Sequence, residues 1–87
     1  MLDDLSDPKE IRKYLDRLAL SKQAVQRRLR RFEAEFGMDS EQFYAKLQNA
    51  ELNERIEYAE WAGEHEMLLR LEQQRAELEQ RLGEHPK

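Results

Sequence analysis

The chain has 87 residues and no cysteine, it carries a net charge of −4, and 39% of its residues are charged. This length allows one domain with a small core, and the lack of cysteine excludes disulfides and thiolate zinc sites. Three glycines, two prolines and many charges favour long exposed helices over strands. We therefore expect an all-α protein.

The N-terminal residues do not resemble a secretion signal. Asp3, Asp4 and Asp7 stand where a basic region and an apolar run would be needed. No apolar run approaches the length that spans a membrane. The sequence therefore predicts a cytoplasmic protein that does not enter a membrane.

A first long helix is predicted from Pro8, which suits the first helical position after an Asp7 cap, to a left-handed stop at Gly37. Its apolar residues recur in steps of four and three, the period of a helix that packs along its length against another. This seam consists of Ile11, Leu15, Leu18, Lys22, Val25, Leu29, Phe32 and Phe36. Lys22 is its one charged member, and a solvent-exposed gap explains it better than a register-setting role.

Two further helices complete the predicted fold. Asp39 can cap a short helix, and Asn49 or Asn53 can cap a third, long one. The predicted bounds are residues 8–36, 40–49 and 53–82, with loose ends at 1–6 and 83–87. Two long helices joined by a short one form an antiparallel hairpin, and two such hairpins can dimerise into a four-helix arrangement.

The third helix carries apolar residues on all sides between Tyr58 and Leu71. One face holds Ala59, Gly63, Met67 and Leu71, and the other holds Tyr58, Trp61, Ala62, His65, Leu68 and Leu69. A helix that is apolar all round is usually buried all round, and so short a chain has too few elements to cover both faces. We therefore expect a second surface, supplied by another copy or by another protein.

A stripe along the third helix includes steps of eleven residues, which suit a nearly straight helix whose packing partner changes along its length. The stripe consists of Leu52, Ile56, Ala59, Gly63, Met67, Leu71, Leu78 and Leu82. Inside a helix, glycine costs roughly 1 kcal/mol relative to alanine. Gly63, beside Ala59 and Ala62, therefore suggests the close approach of another backbone, and a glycine that the helix merely tolerates is the alternative.

Catalytic and cofactor motifs are missing from the sequence. It has no cysteine, no threonine and no glycine-rich phosphate loop, and no serine has a histidine nearby in the sequence. The glutamates ahead of His65 are similar to those of carboxylate-bridged metal helices, but Ala62 stands where such a motif requires a glutamate. We expect neither an enzyme nor a bound metal or cofactor.

Residues 22–31 carry five positive charges and no acidic residue. Such a stretch can follow a phosphate backbone. Most of these charges lie opposite the apolar seam, however, where a solvated face is the ordinary explanation, and the flanking sequence lacks helix-turn-helix proportions. Electrostatic pairing with an acidic third helix of a partner chain, or with a client protein, is the preferred interpretation. The candidate nucleic-acid contacts are Arg27, Arg28, Arg30 and Arg31.

Two motifs in the middle of the chain carry a family resemblance. Residues 32–43 read Phe-Glu-Ala-Glu-Phe-Gly-Met-Asp-Ser-Glu-Gln-Phe, and residues 58–68 read Tyr-Ala-Glu-Trp-Ala-Gly-Glu-His-Glu-Met-Leu, with Glu51-Leu52 between them. Together they resemble small prokaryotic antitoxins of toxin–antitoxin pairs, in which a glycine takes the place of Ala50. The resemblance implies a protein made beside a toxin, often a ribonuclease or nucleotidyltransferase, that neutralises it by direct binding.

The favoured hypothesis is therefore an antitoxin-like, dimeric protein-binding module whose partner is a cognate protein toxin. Aromatic and apolar side chains would anchor the partner, and glutamates would complement its basic surface. The anchors are Tyr58, Trp61, His65, Leu68 and Leu69, and the glutamates are Glu57, Glu60 and Glu64. The alternatives are a structural coiled-coil dimerisation protein and a helical nucleic-acid-binding protein.

Overall fold

A computed structural model describes residues 7–83, which form three helices. They are α1 (Pro8–Phe36), α2 (Ser40–Gln48) and α3 (Ile56–Gly83). Leu18 shares a buried cluster with Leu78, and Val25 shares another with Trp61, so α1 and α3 run antiparallel. The predicted all-α hairpin is confirmed for this part of the chain.

The predicted loose ends fall mostly beyond the described range, at residues 1–6 and 84–87, but Gly83 belongs to α3. The described part of the chain measures 51 × 22 × 18 Å along its principal axes. Within residues 7–83, no helix combines the length and the apolar character that crossing a membrane requires.

The ends of α1 follow the predicted chemistry. The Asp7 carboxylate accepts a hydrogen bond of 3.0 Å from the Lys9 amide and so satisfies one of the open N–H groups of the first turn. At the other end, Gly37 takes a left-handed conformation with φ of 68°, and its amide donates to the Glu33 carbonyl. These caps fix where α1 begins and where the chain turns.

The apolar seam of α1 faces α3, and its most buried members are Ile11, Leu18, Val25 and Leu29. Lys22 does not lie in a solvent-exposed gap, so that expectation is wrong. Its side chain is only 23% exposed, and Nζ lies 3.4 Å from a carboxylate oxygen of Glu72 on α3. The aliphatic stem is covered while the ammonium reaches an acid at the edge of the helix pair.

The third helix begins later than predicted, at Ile56 instead of about residue 53. Asn49 ends α2 and does not cap α3. The Arg55 carbonyl accepts the first α3 hydrogen bonds, from the amides of Tyr58 and Ala59. The Arg55 guanidinium lies 5.2 Å from the Phe36 ring centroid and 5.4 Å from that of Tyr58, and these cation–π contacts hold the start of α3 against the end of α1.

Trp61 is the largest fully buried side chain, with no exposed surface. Its ring is parallel to that of Phe43 on α2, with centroids 3.9 Å apart and an interplanar angle of 2°. Phe32 and Phe36, at the end of α1, stack on it at 5.7 and 5.6 Å. Side chains from all three helices therefore surround the indole.

A chain of hydrogen bonds also joins the three helices at this point. The Trp61 Nε1–H donates to Ser40 Oγ at 2.9 Å, and Ser40 Oγ–H donates to Glu33 Oε2 at 2.8 Å. The same carboxylate oxygen accepts from the Ser40 amide at 2.9 Å, at the start of α2. The buried indole N–H is thus satisfied, and the Glu33 charge lies at the positive end of a helix dipole.

We expect Ser40→Ala to destabilise the chain by about 1–3 kcal/mol, because the indole N–H of Trp61 would remain buried without an acceptor. Thermal and urea unfolding followed by circular dichroism would measure this loss. Ser21→Ala is the matched control: Ser21 is exposed in the middle of α1, so its loss should change stability by less than about 0.5 kcal/mol. Equal effects of the two substitutions would contradict a structural role for the Ser40 hydroxyl.

Candidate functional site

The face of α3 that carries Trp61 packs inside the chain's own core. Trp61 is fully buried and His65 is only 7% exposed. Tyr58 and Leu68 are partly buried and pack against the same aromatic cluster. The expectation that these four residues anchor a partner is therefore corrected, since α1 and α2 of the same chain already cover them.

The period of the α3 contacts explains why the sequence assigned the Trp61 face, and not the opposite face, to a partner. The inward side chains are Trp61, Leu68, Leu71, Leu78 and Leu82. They follow the 3.5-residue period of the α1 seam, so the two helices stay in register along their length. The predicted stripe followed an eleven-residue period through Ile56 and Met67 instead, and its first half turns away from α1.

The outward face of α3 carries an apolar stripe, which we call the α3 stripe and which consists of Ile56, Ala59, Gly63 and Met67. Ile56 is 79% exposed and Met67 is 42% exposed, and the two small residues between them are exposed as well. A methyl group at Gly63 would meet no heavy atom of the described chain within 4 Å, apart from its own helical backbone. The close approach that Gly63 indicated is therefore not made within the chain.

An open groove of about 600 Å³ continues the α3 stripe toward the α2–α3 connection. Leu47 of α2 and Leu52 of the connection form part of its wall, and Ile56 and Ala59 belong to both the groove and the stripe. The apolar surface therefore extends from the middle of α3 around the corner of the hairpin. No described element covers it.

Two of the three candidate glutamates are engaged within the chain. Glu57 lies 3.5 Å from Arg55, and its pKa is lowered, first by its own backbone N–H at the helix start and then by the Arg55 guanidinium. Glu64 Oε2 lies 2.8 Å from Nε of Arg28, as an ionic contact without a hydrogen bond between those atoms. Glu60 is exposed and has no ion pair within residues 7–83. Glu60 is therefore the glutamate most available to a partner.

The arginines of the basic stretch divide into two groups. Arg28 pairs with α3 of its own chain, so part of the charge that was expected to meet a partner is neutralised internally. The exposed members, without ion pairs among the described residues, are Arg27, Arg30 and Arg31. Arg30 lines a cleft with His65 and Leu68, and Arg31 lines a groove with Glu60 and Glu64, so these two arginines flank the contact between α1 and α3. Leu69, the last predicted anchor, is 49% exposed beside the buried face of α3.

The exposed α3 stripe and the aromatic core behind it involve residues that the sequence pattern did not indicate. Ile56 was assigned to a packed stripe, and nothing in the pattern indicated that it is exposed. Neither Ser40 nor Glu33 was predicted to support the core, although a buried tryptophan needs a hydrogen-bond acceptor and a serine at a helix start can supply one. Within residues 7–83, no group of three histidine or acidic side chains is placed to hold a metal ion.

Comparison with known proteins adds no assignment: no protein-family model, curated protein or solved structure gives a significant match to the chain.

Proposed function

We propose that this chain is an antitoxin-like binding module that neutralises a cognate protein toxin by direct contact, and that the toxin docks on the α3 stripe and its adjoining groove. The observation that carries the proposal is the row of exposed apolar and small side chains opposite the buried Trp61 face. The motif resemblance supplies the toxin as the class of partner. The location of the contact differs from the one that the motifs alone suggested.

The composition of the α3 stripe supports its use as a helix-packing surface. Exposed Ile56 and Met67 lie at the two ends, while Ala59 and Gly63 between them leave room for another backbone. A glycine in the middle of a helix costs roughly 1 kcal/mol relative to alanine, and no contact within the described chain requires it. A second molecule that packs closely against Gly63 would account for that cost.

The charges beside the stripe favour a basic partner over a second copy of the chain. The unpaired Glu60 lies along one flank of the stripe, whereas the neighbouring Glu64 is already in contact with Arg28. In a two-fold symmetric antiparallel pair of α3 helices, the Glu60 flank would face its own copy, and like charges would repel. A toxin that handles nucleic acid presents a basic surface, which the same flank would attract. The competing possibility is that the α3 stripe pairs with a second copy of the chain, which would give the four-helix dimer and a purely structural role.

The test is co-expression with the product of the adjacent open reading frame, scored by growth rescue and by co-purification on a tagged copy of this chain. Rescue with a stable complex supports the proposal. A neighbour that is harmless and does not bind, together with a concentration-dependent dimer of the chain alone, would favour the structural alternative.

In that complex, we expect Met67→Lys to weaken binding by about 2 kcal/mol, roughly 30-fold, because it removes an apolar contact and places a positive charge against a basic surface. Leu20→Lys is the matched control, since Leu20 is 67% exposed on α1, away from the stripe. Isothermal titration calorimetry would compare the two. Equal losses, or none from Met67→Lys, would remove the α3 stripe as the docking surface.

Gly63→Ala should separate the stability of the chain from its binding. In the free chain we expect a gain of up to about 1 kcal/mol, because alanine favours the helix and the added methyl group meets open space. In the complex we expect weaker binding, because the methyl group would hold the two backbones apart. Unfolding curves and binding isotherms of the same variant would show both changes. A stabilised variant with unchanged affinity would mean that no backbone packs against Gly63.

Nucleic-acid binding is the second candidate, supported by the exposed and unpaired Arg27, Arg30 and Arg31. If it holds, affinity for duplex DNA or RNA should fall steeply with salt. Changing all three arginines to glutamine should reduce the slope of log affinity against log salt by about 2–3. Electrophoretic mobility shifts at several salt concentrations would measure this. The absence of any shift at low salt would exclude this candidate.

A further inference from the structure

A polar cleft of about 450 Å³ lies where the three helices meet, at the first turn of α2. Leu29 of α1 and Leu68 of α3 supply its apolar wall, and carboxylates from α1 and α2 supply most of its charge. These carboxylates belong to Glu33, Asp39 and Glu41. The cleft is separate from the α3 stripe, because its α3 residues lie on or beside the inward face of that helix.

Two of these carboxylates are held in place by the fold. Glu33 Oε2 accepts two hydrogen bonds from Ser40, and Asp39 accepts one of 2.8 Å from the Gln42 amide. The carboxylate of Glu41 has no partner within the described chain and is exposed beside the cleft. A hydrogen-bond donor that enters the cleft would therefore meet two carboxylates held in place, Glu33 and Asp39, and one without a partner, Glu41.

His65 also lines the cleft, and its hydrogen-bonding capacity is unused. The residue is only 7% exposed, and no group in residues 7–83 bonds to its buried Nδ1. The neighbouring Tyr44 does not satisfy the imidazole, since the Tyr44 hydroxyl donates to Glu66 at 2.8 Å. A buried polar atom without a partner is rare in folded proteins and marks a position that water or a ligand commonly completes.

From this arrangement we infer that the cleft receives a basic side chain, preferably arginine, from a partner protein. Three carboxylates outnumber the one cation in the wall, Arg30, which is exposed and free to move aside. The leucines can pack against the aliphatic stem of the incoming side chain, while its guanidinium donates to Glu41 and Glu33. Five N–H donors allow a guanidinium to serve several acceptors at once.

The inference rests on the proposed function only for the identity of the partner, so it can be tested on the chain alone. The probe is N-acetyl-L-arginine amide, and its matched control is N-acetyl-L-citrulline amide, which has nearly the same shape without the charge. The reporters are the NMR signals of the His65 ring and of the Trp61 indole N–H, which donates to Ser40 in the cleft wall. The arginine probe should shift both signals saturably at millimolar concentration, and the citrulline probe should not.

Substitutions at acidic residues make the site assignment specific. Glu41→Gln should weaken binding of the arginine probe about three- to fivefold, the effect of one partly exposed charge pair. Glu79→Gln is the control, because Glu79 is exposed near the far end of α3 and should leave binding unchanged. Glu41 makes no hydrogen bond or ion pair within the described chain, so its loss should not unfold the protein.

Several outcomes would overturn the inference. They are an arginine titration without shifts or without saturation, equal shifts from citrulline, and equal effects of Glu41→Gln and Glu79→Gln. Tighter binding of spermidine than of the arginine probe would assign the cleft to a free polyamine instead of a protein. If the arginine probe binds but the adjacent gene product does not, the cleft assignment stands and the toxin assignment fails.

Discussion

The structure depends on the burial of one indole at the junction of three helices. Trp61 stacks on Phe43 of α2 with ring centroids 3.9 Å apart. Its N–H donates to Ser40 Oγ, and the Ser40 hydroxyl donates to the Glu33 carboxylate of α1, so one side chain of α3 is connected to both other helices. The contacts depend on one another. Phe43 reaches the indole only if α2 is docked, and the Glu33 carboxylate of α1 helps to dock α2 by accepting from the Ser40 amide and hydroxyl. A short helix with few apolar residues of its own is thereby held in place by a buried polar link.

The same constraint determines which surface of the protein is free. Trp61 and Gly63 are two residues apart on one helix, so they point about 200° apart and cannot both face α1. Once the indole is buried, Ile56 and Met67 turn outward, and the stripe that runs between them becomes the exposed apolar surface. The proposed docking surface is therefore a consequence of how the core is packed.

The helices, their caps and the α1 seam could be predicted because local rules decide them. Asp7 and Asp39 cap the starts of α1 and α2, and Gly37 ends α1. Seven of the eight α1 seam residues are apolar. The rotation of α3 could not be predicted, because two apolar periods overlap between Tyr58 and Leu71. Aromatic contacts from distant parts of the chain choose between them, and no local pattern records those contacts. The start of α3 also lies beside a long-range contact, since Arg55, the residue before it, lies over the Phe36 ring of α1.

Ion pairs within the hairpin limit which charges are open to a partner. Ion pairs of Arg28 with Glu64 and of Lys22 with Glu72 use charges that lie between the two long helices. Of the remaining arginines, Arg30 lines a cleft with His65 and Leu68, and Arg31 lines a groove with Glu60 and Glu64 of α3. A basic partner on the α3 stripe would therefore meet Glu60 together with the nearby charge of Arg31. The apolar contact of the stripe then has to supply most of the affinity, and the charges beside it contribute less.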